Sequence, residues 1–181
     1  MTTTKQIILN LGSGTLPMAN AINVDVRKIP GVDMVVDLTS FPWKWKNNSI
    51  DGIYMFHVLE HFEDTKKIIS ECHRILKKGG FLYLAVPHSS AAGGIGCIGH
   101  YRTFSYYTFN DYLCRDFYLF KKALFQVIHQ RIIWLHPTNN IEYIISMPIQ
   151  FLIDRAPRFF ERIWCYYVGG AAEVQWKGIK I

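Results

Sequence analysis

Apolar residues in this chain fall first into short, nearly unbroken runs separated by turn-forming residues. Ile7–Leu11, Ile22–Val26, Asp33–Asp37, Ile50–Phe56 and Phe81–Val86 are such runs. Unbroken apolar runs of this length predict strands buried on both faces, as in a parallel sheet. Between the fourth and fifth runs the period changes to that of a helix over Thr65–Lys77. Ile68, Ile69, Cys72, Ile75 and Leu76 share one face, opposite Lys66, Lys67, Glu71, Arg74 and Lys78, and Gly79-Gly80 offers a helix end. The segment Thr15–Ala21 contains Pro17 and has room only for a turn or a short helix.

After Pro87 the pattern loosens. Residues 89–99 are rich in Gly, Ala and Ser and predict a loop, 104–117 can hold a helix, and Phe125–Leu135 predicts a sixth strand. Ala172–Ile181 alternates and reads as a final antiparallel edge strand. Between these two strands lies a helical insertion, 137–170, in which Pro148 suits a helix start and Pro157 a kink or break. Ile149, Leu152, Ile153, Ala156, Phe160, Ile163, Trp164 and Tyr167 recur at helical spacing, against Gln150, Asp154, Arg155, Arg158, Glu161 and Arg162. The fold class is therefore α/β, a Rossmann-like, mostly parallel seven-stranded sheet with an antiparallel edge strand and an abridged first helix. Residues 1–181 are expected to form a single domain, with 137–170 as insertion or lid.

Composition adds bounds. Of the 181 residues 50% are hydrophobic, which argues against disorder. No apolar run approaches the roughly 18 residues needed to span a bilayer. The polar start at 1–6 does not resemble a signal peptide, so a cytoplasmic location is expected. The four cysteines, Cys72, Cys97, Cys114 and Cys165, form no C-x-x-C pair and read as reduced thiols. A net charge of +6 permits an acidic partner, yet no run of five basic residues concentrates it.

The first strand ends in Gly12-Ser13-Gly14, a turn too tight for side chains, and the second carries Asp25. Strand, glycine turn and carboxylate on the next strand is an arrangement by which parallel sheets grip a nucleoside. A dinucleotide is disfavoured, because the third glycine of Gly-x-Gly-x-x-Gly is Pro17 and Asp25 follows Gly14 after only 10 residues. The strand ends at Gly12, Asp25, Asp37, His57 and Pro87 are expected to line one crevice.

With LNLGSG at 9–14, NVDV at 23–26, VVDL at 35–38, SIDGIYMFHVLEHF at 49–62 and LKKGGFLYLAVPH at 76–88, the chain resembles the class I S-adenosylmethionine-dependent methyltransferases, specifically the small type-11-like family. The likeness covers residues 7–105, and the order and spacing of the pieces carry it. It implies methyl transfer from S-adenosyl-L-methionine to an acceptor of small-molecule or glycan type. It also implies a cofactor site at Asn10, Leu11, Gly12, Ser13, Gly14, Asp25, Val26, Asp37, Leu38, His57 and Leu59. In it the glycines admit the methionine part, Asp25 takes the ribose hydroxyls, Asp37 with the Leu38 amide meets adenine, and His57 to Leu59 close over the cofactor. Asn10 replaces the family's usual acidic residue, and the helical lid of most relatives is missing, which leaves 89–105 and 137–170 to cover the site.

In-line methyl transfer needs aligned reactants and requires a base only if the acceptor must lose a proton. His57, His61 and His100 are candidate bases, and Glu60, Tyr101 and Arg102 candidate acceptor contacts, with Arg102 suited to an anionic group. The pattern His57-x-x-Glu60-His61, with His88 or His100 later, resembles the metal site of small-RNA 2′-O-methyltransferases, which leaves a metal open. A helix-capping role for Glu60-His61 and a loop-anchoring role for Arg102 stand beside these. Two other functions remain open: a non-catalytic nucleoside-binding module of the same fold, and metal-assisted RNA 2′-O-methylation. The aromatic and basic stretch 148–168 can pack on the sheet, form a homodimer face, or rest on a membrane surface.

Overall fold

In the computed structural model, which describes residues 6–115, 120–167 and 169–181, the chain builds one seven-stranded sheet. The strands are β1 (Ile8–Leu11), β2 (Ile22–Asp25), β3 (Met34–Val35), β4 (Ile50–Phe56), β5 (Leu76–Pro87), β6 (Phe125–Ile133) and β7 (Glu173–Lys180), in the order β3-β2-β1-β4-β5-β7-β6. Strands β1 to β5 pair in parallel. β7 runs antiparallel to both β5 and β6. The reversed strand is thus the last one, as the alternation predicts, but it lies one place in from the margin and β6 is outermost. Its burial explains the position: Val174 and Trp176 are fully buried, which an outermost strand does not require.

The residues between β1 and β2 form turns and no helix. Helix α1 (Thr65–Ile75) begins where the Asp64 side chain accepts from the Lys67 amide and buries Ile68, Ile69, Cys72 and Ile75 against the sheet. Each such apolar side chain contributes about 1.5–3 kcal/mol of transfer free energy. The helix ends at Leu76, before Gly79-Gly80, because β5 already pairs there. Register passes from Ile50 opposite Leu76 to Gly52 opposite Phe81, and Gly79 takes up the intervening irregularity at φ +79°. Helices α2 (Ala92–Gly96) and α3 (Thr108–Leu113) are short. The rest of the 104–117 expectation is irregular up to Arg115, and Asp116 and Phe117 lie outside the described residues.

The insertion opens with α4 (Asn140–Arg155), capped by the Asn139 side chain on the Glu142 amide. Pro148 is therefore interior to a helix and does not start one. The chain breaks at Ala156 and restarts at Pro157 as α5 (Pro157–Phe159), then forms a π-helical turn over Phe160–Trp164 and a last helical turn, α6 (Cys165–Tyr167). Only part of the spaced apolar set packs on the protein. Ile153 and Phe160 are buried, with Ile149 and Trp164 packed against them, but Leu152, Ala156, Ile163 and Tyr167 are exposed. Polar contacts set how the insertion sits: Gln150 and Asp154 bond to β6 and Trp134, and Glu161 is buried against the Tyr106 amide and His88.

Candidate functional site

The carboxyl ends of the parallel strands open into two cavities that meet at one residue. The first, of roughly 450 Å³, is lined by Gly12, Gly14, Asp25, Val26, Asp37, Leu38, His57 and Val58, with His61 and Phe62 at its side. The second, of roughly 560 Å³, lies between the 89–94 loop, His100, Trp134 and the 170–172 segment. His57 lines both. The single crevice expected from the strand ends is thus divided, with Pro87 in the second cavity.

Gly12 and Gly14 have φ of +69° and +52°. Gly12 also has no room for a side chain, since a Cβ there would stand 2.4 Å from a Val58 methyl carbon. The Asp25 carboxylate secures the turn: Oδ2 accepts from the Gly14 amide at 2.9 Å, and Oδ1 from the Arg27 amide at 2.9 Å and its Nε at 3.2 Å. Burial opposes ionisation of Asp25, but these hydrogen bonds and the Arg27 charge hold its pKa below the ordinary value. A carboxylate offers about four acceptor positions, so gripping a diol through Asp25 requires the exposed Arg27 side chain to swing away. Asp37 is engaged by Thr39 and Ser40 in a local turn. Its neighbour Leu38 is buried.

Four of the expected cofactor residues do not line this cavity. Asn10 is a structural clamp whose Nδ2 donates to Asn23 Oδ1 at 3.0 Å and toward the Leu16 carbonyl, which fixes the turn without a helix. Leu11 and Leu59 are core side chains. The Ser13 hydroxyl is buried and has no hydrogen-bond partner among the described residues.

His57 ends β4 in the left-handed region, φ +53°. That conformation is costly for a residue with a side chain and is found where the surroundings impose it. Its Nε2 lies 2.7 Å from Glu173 Oε2, and its Nδ1 lies 3.5 Å from Glu60 Oε1. The Glu173 hydrogen bond, with Glu60 second, raises the His57 pKa to about 9. Burial pushes Glu173 upward, but the hydrogen bonds from His57 and Gln175 bring it below the usual value. Glu173 was not singled out in the sequence. It comes from β7, and only the register that sets Pro87 opposite Glu173 brings it to the end of β4.

Glu60 is fully buried, and neither carboxylate oxygen has a hydrogen bond among the described residues. His61 and His100 stand beside it with ring centroids 4.7 Å apart. Nδ1 of His61 donates to the Gly99 carbonyl at 2.9 Å and Nδ1 of His100 to the Gly94 carbonyl at 3.1 Å. Each ring is thereby oriented with Nε2 left as an acceptor. Glu60, His61 and His100 each offer a donor atom, and the three lie within 4.8 Å of one another. Two imidazoles and a carboxylate can hold a divalent ion such as zinc with positions to spare. His88, the other sequence candidate, is excluded from this group. It is fully buried between Ser90 Oγ at 2.7 Å and Glu161 Oε1 at 3.2 Å, where it fastens the insertion to β5.

The acceptor candidates separate. Tyr101 is exposed, with its amide on the Glu60 carbonyl. Arg102 donates to the Glu63 carbonyl and lines a different cavity with Lys66 and Phe109. Arg102 is thus anchored away from His57, and the loop-anchor alternative describes it. Trp134, which the sequence reading passed over, faces the second cavity instead.

Residues 9–84 match a family model described as a methyltransferase domain. No curated protein matches the chain significantly. Among solved structures, a SAM-dependent methyltransferase from Archaeoglobus fulgidus is similar at 14% identity and TM-score 0.64, over 97% of this chain and 86% of that one. A SAM-dependent methyltransferase from Thermotoga maritima is similar at 17% identity and TM-score 0.60, over 99% and 84%. The 1,6-didemethyltoxoflavin-N1-methyltransferase of Burkholderia thailandensis, solved with S-adenosylhomocysteine and 1,6-didemethyltoxoflavin bound, is similar at 12% identity and TM-score 0.56, over 96% and 70%.

Proposed function

The chain has the fold of the class I S-adenosylmethionine-dependent methyltransferases and carries their domain pattern over residues 9–84, and on that premise we propose that its first cavity holds S-adenosyl-L-methionine while the second holds a small-molecule methyl acceptor. The observation that carries this reading is the placement of His57, shared by both cavities. The residues of the first cavity suit the cofactor. Two glycines at positive φ keep the turn low, Asp25 stands one strand over, and Asp37-Leu38 offers an acceptor and an amide further along. When bound, the cofactor supplies an electrophilic methyl group on a sulfonium.

The chain's own part is alignment. Glu173 holds His57 Nε2 at 2.7 Å and the Glu60 carboxylate stands 3.5 Å from Nδ1, which keeps the ring protonated, so it does not take a proton from an acceptor. Its role here is to position the groups on either side and to place a fixed charge between them. The 89–94 loop and residues 170–172 wall the second cavity with Ala, Gly and Ser around Trp134, which suits a flat or compact acceptor. Among the described residues no Lys or Arg lines that cavity, which weighs against an RNA backbone there. The free cysteines agree with a reducing compartment such as the cytoplasm.

The test is a screen of compact acceptors with labelled S-adenosylmethionine, with calorimetric binding of S-adenosylhomocysteine measured in parallel. Cofactor binding with no product across the screen would favour a non-catalytic module. A second reading is favoured by the Glu60–His61–His100 cluster, in which a divalent ion orients the acceptor beside the first cavity. Stoichiometric metal in the purified protein and loss of transfer in chelator support it, and full activity in chelator overturns it.

A further inference from the structure

The insertion between β6 and β7 carries apolar side chains on both its inner and its outer side. Inward, Ile153 is buried with Ile149 packed beside it, and polar groups fasten α4 to β6: Gln150 donates to the Ile132 carbonyl at 2.7 Å and accepts from the Trp134 amide at 3.0 Å, and Asp154 pairs with Arg131 at 2.6 Å. The side turned to solvent is apolar, with Ile141, Ile144, Met147, Phe151 and Leu152 each more than half exposed. The exposure continues beyond the break at Ala156 in Phe159, Ile163 and Tyr167. Surface helices of globular proteins turn a polar face to solvent, so an exposed apolar face of this extent marks a contact surface.

The charges choose the occupant. Arg155, Arg158 and Arg162 are exposed at the C-terminal end of this face, and none pairs with a carboxylate among the described residues. Arg155 lies over the Phe151 ring at 4.6 Å and Arg158 over Tyr107 at 5.8 Å. Of the insertion's three acidic residues, Asp154 pairs with Arg131 and Glu161 is buried against His88 and the Tyr106 amide, while Glu142, at the opposite end of α4, accepts from Thr138. A second copy docked on this face would offer the three arginines one carboxylate, Glu142 at the far end of α4, and leave most of their charge unmatched. An anionic bilayer surface meets both halves, taking the aliphatic and aromatic side chains at the acyl boundary and the guanidinium groups at the lipid phosphates. No described helix is long and apolar enough to cross a membrane, so the contact is in the plane of the surface.

We propose that the outward face of α4, with Arg155, Arg158 and Arg162, seats the protein on anionic phospholipid membranes. The experiment is co-flotation of the full chain with vesicles of phosphatidylcholine alone and of phosphatidylcholine with phosphatidylglycerol, with sedimentation velocity run on the same samples. Partitioning should favour the anionic vesicles by on the order of a hundredfold, the combined contribution of three arginines at a charged surface. The pair Ile144→Glu with Phe151→Glu should abolish binding with the melting temperature unchanged, because both side chains are exposed. The pair Arg155→Gln with Arg162→Gln should remove most of the preference for anionic vesicles while weak binding remains. Absence of flotation with either vesicle overturns the proposal. So does a concentration-dependent dimer that the Ile144→Glu, Phe151→Glu pair dissolves, which assigns the face to a second copy.

Discussion

Replacing Glu173 with glutamine isolates what the His57 clasp contributes. The substitution keeps size and shape, leaves Gln175 beside position 173, and removes the charge that faces His57 Nε2 at 2.7 Å. A hydrogen bond to a charged group contributes about 1.5–3 kcal/mol. His57 is half exposed, so solvent screening brings the expected loss to about 1–1.5 kcal/mol. For a domain of this length that corresponds to a melting temperature lower by about 2–6 °C. The cycle of Glu173→Gln, His57→Gln and the double variant isolates the pair. In His57→Gln the Glu173 carboxylate still has Gln175 and, at 3.7 Å, His136, so each single variant remains folded. A coupling free energy of about 1 kcal/mol is expected, read from urea denaturation. The turnover of methyl transfer should fall in Glu173→Gln with little change in the Kd for S-adenosylhomocysteine. A coupling below about 0.3 kcal/mol, the level at which independent sites add, would refute the claim that Glu173 holds His57.

Asp25→Asn keeps the turn contacts of its remaining oxygen but loses the charge, and should weaken S-adenosylhomocysteine binding by more than about tenfold, the equivalent of 1.4 kcal/mol, in calorimetry; unchanged affinity would remove Asp25 from the cofactor site. Gly52→Ala puts a Cβ 2.3 Å from the Phe81 ring and should cost about 1–3 kcal/mol of stability, measured by chemical denaturation, whereas Gly93→Ala meets nothing within 4 Å and should be close to neutral. The Arg74 hydrogen bond lowers the Glu71 pKa despite partial burial. A carboxylate with a lowered folded pKa stabilises the protein above its unfolded value near 4.5, and that contribution is lost as pH falls through the folded value. Glu71→Gln should therefore shrink the difference in stability between pH 6 and pH 3, and an unchanged difference would count against the pairing.

The parallel half of the fold was legible because its information is local. β1, β2 and β4 are apolar runs ended by glycine, an acid or a histidine, and α1 carries a clear stripe. The glycine turn, Asp25, Asp37 and His57 were found for the same reason: each lies at the end of a run. What was not legible depends on pairing between distant segments. Nothing around Glu173 marks it as a partner of His57 until β7 is set between β5 and β6. His88 and His100 could not be told apart by spacing, yet one is locked in the core by Glu161 and the other stands against His61. Periodicity over α4 shows a run of spaced apolar residues and does not say which of them meet the protein: Ile149 and Ile153 do, whereas Leu152 is turned outward, because Gln150 and Asp154 bond to β6 and set the rotation of the helix.

The position of β7 also bears on how the molecule comes off the ribosome. Every residue lining the first cavity has been made by Phe62, so the nucleoside half can assemble early. β5, finished at Pro87, has no neighbour on its outer side until Glu173–Lys180 emerges. At elongation rates of about 5–20 residues per second, that edge waits on the order of ten seconds with Leu82, Leu84 and Val86 beside it. An unpaired apolar edge invites pairing with other chains, so nascent chains stalled between β5 and β7 are the ones most exposed to aggregation and most in need of a chaperone.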